Sequence, residues 1–451
     1  MSSHYPPSAD ARRVISFYEI IDTMKIALLG YGIEGESAYH YYKKQFPDAK
    51  FTVYDEAPQP KKPLPEGVQF LGNRADFRDI SADIIVRTPS VSPHRISSQG
   101  EITSLTKEFF KKCPAPIIIG VTGTKGKGTT SSLIYEMLTA AGTTAHLVGN
   151  IGVPALSELS KIHKDDIVVY EMSSFQLWDM TQSPHTAVVL MIEPDHLNVH
   201  DDFSDYVSAK ANIARWQTTS DTVIYHPTNQ YSQKIAAESR GQKLKYNMNE
   251  TAHTINDQIW MRNTLICDVA DVALPGPHNL ENICAAVTAV WRYTQDVPAI
   301  KQAIHAFHGL SHRLQFVAQK EGVKYYDDSI ATTPGSAIAA LRSFEASKIL
   351  ILGGQSKGAS YEEVIIAARD TYSRIIAIGE TKEEINALCQ TYAVECCVEA
   401  GDMSAIVNRA HQIAHPGDIV ILSPASSSFD MFTGYQDRGD QFARAVHQLA
   451  D

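Results

Sequence analysis

Gly120-Val121-Thr122-Gly123-Thr124-Lys125-Gly126-Lys127-Gly128-Thr129-Thr130 is the stretch on which the fold turns. It follows an apolar run over 117–121 and opens a helix predicted over 130–141. Leu133, Ile134, Met137, Leu138 and Ala141 share one face of that helix, and Gly142 stops it. Successive backbone N–H groups in such a loop form a concave nest for phosphate oxygens. Lys127 brings a point charge to the β- and γ-phosphates. The residue after that lysine ordinarily supplies a hydroxyl for Mg²⁺. Here it is Gly128, so the hydroxyl falls to Thr129 or Thr130. A glycine turn without nucleotide is the alternative, and it leaves the agreement of strand, loop, lysine and helix unexplained.

Working outward, two apolar strands predicted over 167–170 and 187–192 end in polar residues. The first ends at Glu171 and the second runs into Asp195-His196. Open parallel sheets bind ligands at the carboxyl ends of their strands. A carboxylate there can reach a phosphate-bound Mg²⁺. A solvated loop acid is the alternative for each residue taken singly.

A second glycine loop lies upstream. Gly30-Tyr31-Gly32-Ile33-Glu34-Gly35 joins a strand predicted over 25–29 to a helix over 36–45. Asp55 closes the next strand, over 51–54. Glycines at that spacing admit a diphosphate to the helix N-terminus, and the acid can accept from a ribose or base. Alone, this motif would suggest an NAD-dependent oxidoreductase, which leaves the second loop without a purpose.

Further strands are predicted over 83–86, 222–225, 323–326, 348–352, 374–378 and 418–422, with helical spacing over 279–293. Residues 230–275 alternate less regularly and suggest an antiparallel excursion. Cys113-Pro114-Ala115-Pro116 marks a boundary, because proline disfavours a continuing helix. The chain is thus expected to be α/β with three domains. A Rossmann-like unit over 24–110 is followed by a P-loop ATPase-like parallel-sheet unit over 111–309. A second Rossmann-like unit over 310–451 completes the chain. Residues 1–23 form an N-terminal extension, and hinges are expected near residues 110 and 309.

Composition narrows the partners. The 451 residues carry a net charge of −11, which disfavours a dedicated nucleic-acid binder. No apolar run approaches the ~18 residues that span a bilayer. The six cysteines form no C-x-x-C pair and resemble neither a zinc site nor a disulfide framework. Free thiols fit a reducing, cytoplasmic setting.

Taken together, the motifs resemble the Mur ligase family. The loop Gly120 to Thr130 is followed in order by Gly149-Asn150-Ile151-Gly152 and by Tyr170-Glu171-Met172-Ser173-Ser174-Phe175-Gln176-Leu177. Asp195-His196-Leu197, Ser208-Ala209-Lys210 and His278-Asn279-Leu280-Glu281-Asn282 come next. Ser311-His312-Arg313, Asp327-Asp328-Ser329, Gly353-Gly354-Gln355-Ser356-Lys357 and Ser423-Pro424-Ala425 complete the series. Within the family the motifs are most similar to those of ligases that add glutamate to UDP-N-acetylmuramoyl-L-alanine.

The resemblance implies an ATP-dependent, peptide-bond-forming ligase of peptidoglycan precursor synthesis, working through an acyl phosphate. It implies a monomer with two Mg²⁺ ions. Lys127, Glu171, His196 and Lys210 are then catalytic, with Thr129, Glu171, His196 and Lys210 at the metals and Lys210 carbamylated. ATP falls to Gly123, Thr124, Lys125, Gly126, Lys127, Gly128, Thr129, Asn279, Asn282, Arg313 and Asp328. The UDP-sugar falls to Gly30, Gly32, Gly35, Asp55, Glu56, Thr88, Asn150, Ser173 and Gln176, and glutamate to Thr332, Lys357, Ser428 and Tyr435. Two positions depart from the pattern. Ile330 stands where the D-glutamate ligases usually carry Lys, which leaves L-glutamate open as the acceptor. Thr88-Pro89-Ser90 stands where Ser-Pro-Gly is common. The related folylpolyglutamate synthases lack a separate UDP domain, and a catalytically dead nucleotide binder would not keep Lys127, Glu171, His196 and Lys210.

Overall fold

The computed structural model describes residues 23–60, 62–151, 153–197, 199–274, 276–356 and 360–450. The expected extension over 1–23 lies outside them apart from Thr23, as does Lys357.

Three large sheets follow one another along the chain, with two smaller ones of three and two strands beside them. The first runs Gln69–Leu71, Lys50–Tyr54, Lys25–Leu29, Ile84–Arg87, Glu101–Ser104 in spatial order, all parallel. The central sheet runs Gln242–Lys245, Thr222–Tyr225, Thr186–Val189, Ile117–Thr122, Ile167–Glu171, Ala145–Gly149, again all parallel. Its inner strands, IIIGVT and IVVYE, are almost wholly buried, as strands covered on both faces must be. From Ile117–Thr122 the chain crosses to one edge, returns, and then builds the other side. The reversal opens a crevice at the carboxyl end of Ile117–Thr122, which is where ligands bind in such sheets.

The third sheet runs Gln315–Lys320, Val323–Asp327, Ile419–Leu422, Lys348–Gly353, Ser373–Ile378, Cys396–Val398. Only its first strand is antiparallel to its neighbour. The antiparallel excursion is shorter than the sequence pattern suggests. Helix Gln230–Ala237, capped by Asn229, and strand Gln242–Lys245 extend the parallel sheet. The excursion proper is Ala252–Ile255, Gln258–Met261 and Thr264–Asp268.

The two expected hinges differ physically. Helix Leu105–Lys112 buries Phe109, whose ring meets Tyr170 edge-on at 5.4 Å. One apolar cluster therefore runs from Ile26 and Val53 through Leu105 and Phe109 to Val168 and Tyr170. The position near 110 is a packed seam rather than a hinge. The third unit keeps its own two clusters, one on each face of its sheet. The linker near 309 thus joins units with separate cores.

Candidate active site

Helix Lys127–Ala140 starts three residues earlier than its apolar pattern predicts. Its opening turn is the loop itself, and the amides of that turn have no intrahelical acceptor. Gly126 caps it with φ +80°, a conformation that favours glycine, and a Cβ there would collide with Asn282 Oδ1. Asn282 accepts from Thr130 Oγ1 at 3.4 Å and donates to Asn279 Oδ1 at 3.2 Å. Whatever it reads in a nucleotide, Asn282 also braces the loop from helix Pro277–Val290.

Gly128 has a steric reason. A Cβ at that position would lie 2.8 Å from Leu310 Cδ1 and 3.5 Å from Glu171 Oε2. A hydroxyl residue, usual at this place, would have to displace the tip of a leucine of the linker. Thr130 is buried and committed to Asn282, which leaves Thr129 to offer a hydroxyl.

Lys127 Nζ donates to the carbonyls of Gly123 (3.1 Å) and Thr124 (3.0 Å). Burial draws its pKa below the usual lysine range, Glu171 opposes the shift, and Arg313 adds to it. Lys210, on helix Phe203–Arg215, is 1% exposed. Its Nζ donates to Gly123 O (2.9 Å) and Thr122 Oγ1 (3.3 Å) and sits 4.7 Å over the Tyr206 ring. Burial, then the charge on Lys127, lowers its pKa far below the ordinary value.

Glu171 ends its strand beside Val121 and Gly149. Its Oε1 accepts from Asn150 Nδ2 at 3.1 Å. His196 occupies a left-handed turn (φ +54°), is exposed, and has its ring 4.9 Å from Phe175. Among the described residues no group of three or more His, Cys, Asp or Glu is gathered around one point. The oxygen donors that are present, Glu171 and Thr129, suit a hard cation. The Lys210 ammonium has no lone pair to offer and does not.

A cavity of about 380 Å³ separates this loop from the third unit. Thr124, Lys125, Gly126, Lys127 and Gly128 face Arg313, Asp328 and Ile330 across it, with Asn150 and Glu171 on its wall. Asp328 is buried and accepts from Ser423 Oγ (2.7 Å) and Leu314 N (3.1 Å). Burial pushes its carboxyl up to about 7. The structure thus brings together Lys127, Glu171, Asn150, Arg313 and Asp328 from motifs far apart in the chain. His196 and Lys210 do not line this cavity.

In the first unit, Gly32 precedes helix Ile33–Gln45, and a Cβ there would meet nothing within 4 Å, so the approach to the helix N-terminus is open. A Cβ on Gly35 would strike the Gly30 carbonyl, and one on Gly30 would lie 2.5 Å from Thr88 Oγ1. Asp55 is already engaged by backbone: Oδ2 accepts from Tyr31 N (3.0 Å) and Oδ1 from Ala57 N (2.9 Å). Glu56 pairs with Arg95. Ser173 and Gln176 form a reciprocal capping box on the short helix Ser174–Leu177.

Of the residues expected at glutamate, Ser428 is buried and its carbonyl accepts from Met431 and Phe432. Thr332 is half-buried. Tyr435 starts the last helix and lines a larger cleft of about 880 Å³ beside the linker. Arg438 lies in none of the sequence motifs. It is fully buried and donates to Ser329 and to the carbonyls of Ser426 and Ser427, fixing the strand-end loops around Ser428. The available signal was a charged residue in the apolar stripe it shares with Phe442 and Val446.

Residues 121–290 match the model of the Mur ligase middle domain, and residues 312–426 match that of the Mur ligase glutamate ligase domain. A UDP-N-acetylmuramoylalanine–D-glutamate ligase of Clostridium kluyveri is 33% identical over 97% of this chain and all of its own length. One of Clostridium botulinum is 34% identical over 96% of this chain and 98% of its own. Among solved structures, UDP-N-acetylmuramate-alanine ligase MurC of Thermotoga maritima is 15% identical with a TM-score of 0.56, covering 94% of this chain and 99% of its own. MurF of Acinetobacter baumannii is 16% identical with a TM-score of 0.57, covering 81% and 85%. These two share the fold. With near-full-length relatives above 30% identity and two family models that together match more than half of its residues, the chain belongs to the Mur ligase family.

Proposed function

We propose that this protein joins D-glutamate to UDP-N-acetylmuramoyl-L-alanine at the expense of ATP, releasing ADP and phosphate, in the cytoplasmic synthesis of peptidoglycan precursors. The observation that carries the reading is the cavity in which the phosphate loop and Glu171 of the central unit face Arg313 and Asp328 of the third. The near-full-length relatives that bear this activity in their names support the choice of donor and acceptor. The domain division follows: residues 24–110 hold the UDP-sugar, 111–309 ATP, and 310–451 glutamate, in a monomer.

The chemistry needs little covalent help from the protein. An alanyl carboxylate oxygen attacks the γ-phosphorus as the bond to ADP breaks. The glutamate nitrogen then attacks the acyl carbon, phosphate leaves, and the nitrogen loses a proton. Positioning and charge neutralisation lower both barriers. Lys127 leaves its loop carbonyls for the β- and γ-phosphates. Arg313 approaches from the opposite wall with a fork suited to phosphate oxygens.

Mur ligases use ATP with Mg²⁺, which, when bound, neutralises charge on the transferring phosphoryl group. Glu171 and Thr129 supply oxygens that suit it. His196 and a carbamylated Lys210 complete the proposed set. The lysine's depressed pKa favours the neutral amine that adds CO₂ to become an anion. Asn150 orients Glu171, and Ser173 and Gln176 hold the donor near it. Asn279 and Asn282 face the adenine, while Thr332, Ser428, Tyr435 and Lys357 hold glutamate. Asp55 shapes the UDP loop through Tyr31 and Ala57.

Ile330 favours a second reading, with L-glutamate as acceptor, because it puts an apolar wall where a cation is usual. Phosphate release from ATP with UDP-N-acetylmuramoyl-L-alanine, measured with D- and then L-glutamate, decides between the two. Release with neither overturns both.

A further inference from the structure

The glycine loop of the first unit contains a carboxylate, Glu34, in the opening turn of helix Ile33–Gln45. That turn presents free amides to an anion, and Gly32 beside it leaves the approach open. An ionised carboxylate on the same turn would work against a diphosphate.

The surroundings of Glu34 resolve the conflict. Its Oε1 accepts from Gln176 Nε2 at 3.1 Å, across the seam between the first and central units. Gln176 is held in that orientation, because its own Oε1 accepts from Ser173 N (3.0 Å) and Ser173 Oγ (3.2 Å). The amide nitrogen therefore has to point at Glu34. The charged groups around this carboxyl are few. Arg87 lies on the strand behind it but is paired with Asp179 at 2.5 Å, and Lys107 also pairs with Asp179 at 2.9 Å. Tyr170, from the central sheet, faces it with a phenol that burial keeps neutral. Glu36, further along the same helix, is paired with Lys62 at 2.6 Å. No lysine or arginine is bonded to Glu34 among the contacts of the described residues. Burial holds its carboxyl at about 7, the Gln176 bond and Arg87 only partly opposing the shift.

We propose that Glu34 receives the UDP-sugar as a neutral carboxylic acid, turning from an acceptor into an O–H donor beside the diphosphate, so that donor binding takes up a proton at this side chain. Glu34 is thereby a positioning and affinity residue for the donor, tied through Gln176 to the Ser173 turn near the reacting carboxylate. The proton comes from solvent, and no bond of the substrate changes. The inference rests on the proposed UDP-sugar site.

The sign follows from linkage. Bound diphosphate disfavours the ionised form further, so the bound protein holds the proton to higher pH than the free protein. Above neutrality the dissociation constant rises by up to about tenfold per pH unit, the limit for one proton. The test is calorimetric titration of the full chain with UDP-N-acetylmuramoyl-L-alanine, between pH 6 and 8.5, in buffers of different ionisation enthalpy. Wild type is expected to take up close to one proton at pH 7.5 to 8 and to lose affinity as pH rises. Glu34→Gln and Glu34→Thr, which cannot ionise, are expected to bind without the uptake and with a flat profile. Proton uptake unchanged in both variants, or none in wild type, overturns the proposal. Absence of UDP-sugar binding by wild type at every pH overturns the donor site itself, a distinct result.

Discussion

Lys127 and Lys210 donate to the same oxygen, the carbonyl of Gly123, at 3.1 and 2.9 Å. Two amines from different helices converge on one acceptor before any phosphate arrives. The charge on Lys127 disfavours the charged form of Lys210, and the more deeply buried Lys210 shows the larger depression. The arrangement suits a pair with divided duties, one amine for phosphate and the other for CO₂.

Lys127→Ala and Lys210→Ala are each expected to lower ligase turnover by at least about a hundredfold, the scale on which a charge-stabilising group is lost. Lys210→Ala should also remove a carbamate resonance seen by ¹³C NMR after addition of labelled bicarbonate, whereas Lys127→Ala should keep it. Full turnover in Lys210→Ala would end the carbamate role.

Asp179→Ala tests the seam. Arg87 has no exposed side-chain surface and relies on Asp179, with carbonyl help from Phe175 and Val91. Removing the acid leaves a buried guanidinium without its counter-charge, at a cost of about 3 to 5 kcal/mol. The first and central units share one apolar cluster, so they should melt together. Calorimetry of the variant should show that joint transition moved down, with the third unit's transition unmoved.

Gly128→Ser restores the more common residue of the phosphate loop and is expected to weaken the protein. The new Cβ meets Leu310 Cδ1 at 2.8 Å and Ile151 Cδ1 at 3.3 Å. Crowding of this kind costs about 1 to 3 kcal/mol. Leu310→Ala carries a cost of its own as a member of the apolar cluster, but the double variant should lose less than the sum of the two single losses in thermal denaturation, because the clash is with a side chain. Independent, additive effects would show that the contact does not matter.

His312 gives a pH dependence. Its Nδ1 lies 2.7 Å from Asp327 Oδ2, and this bond holds the imidazolium above the usual pKa, with Asp440 assisting and burial opposing. A group with a raised native pKa contributes stability that is complete below about 6.5 and is lost as pH rises through the native value. Stability of the third unit should therefore fall on going from pH 6 to pH 8. His312→Gln should reduce that slope, leaving the part that Asp328, with its raised carboxyl, contributes in the same direction, as read from urea midpoints at each pH.

Both glycine loops, the strand-end Glu171 and the three-sheet order could be read in the sequence because each rests on local signals: a spacing, an apolar run, a turn residue. Arg87, Arg438 and the Glu34–Gln176 bond could not, since their partners lie 92, 109 and 142 residues away in the chain. The short strands Gln69–Leu71 and Glu101–Ser104 also escaped, being brief and partly exposed. The packed seam at 110 differs from the hinge expected there for a related reason. Prolines at 114 and 116 end a helix, but only tertiary packing of Phe109 on Tyr170 reveals that the units on either side share a core.

Leu310 carries a thermal consequence. It belongs to the apolar cluster of the central unit together with Phe307, yet it sits in the linker to the third. Any swing of the third unit that pulls the linker away draws an aliphatic side chain off the phosphate-loop helix and wets it. Newly hydrated apolar surface raises heat capacity. Opening should therefore have an enthalpy that grows with temperature, and nucleotide binding that favours closure should show a negative heat-capacity change larger than its own contact surface accounts for.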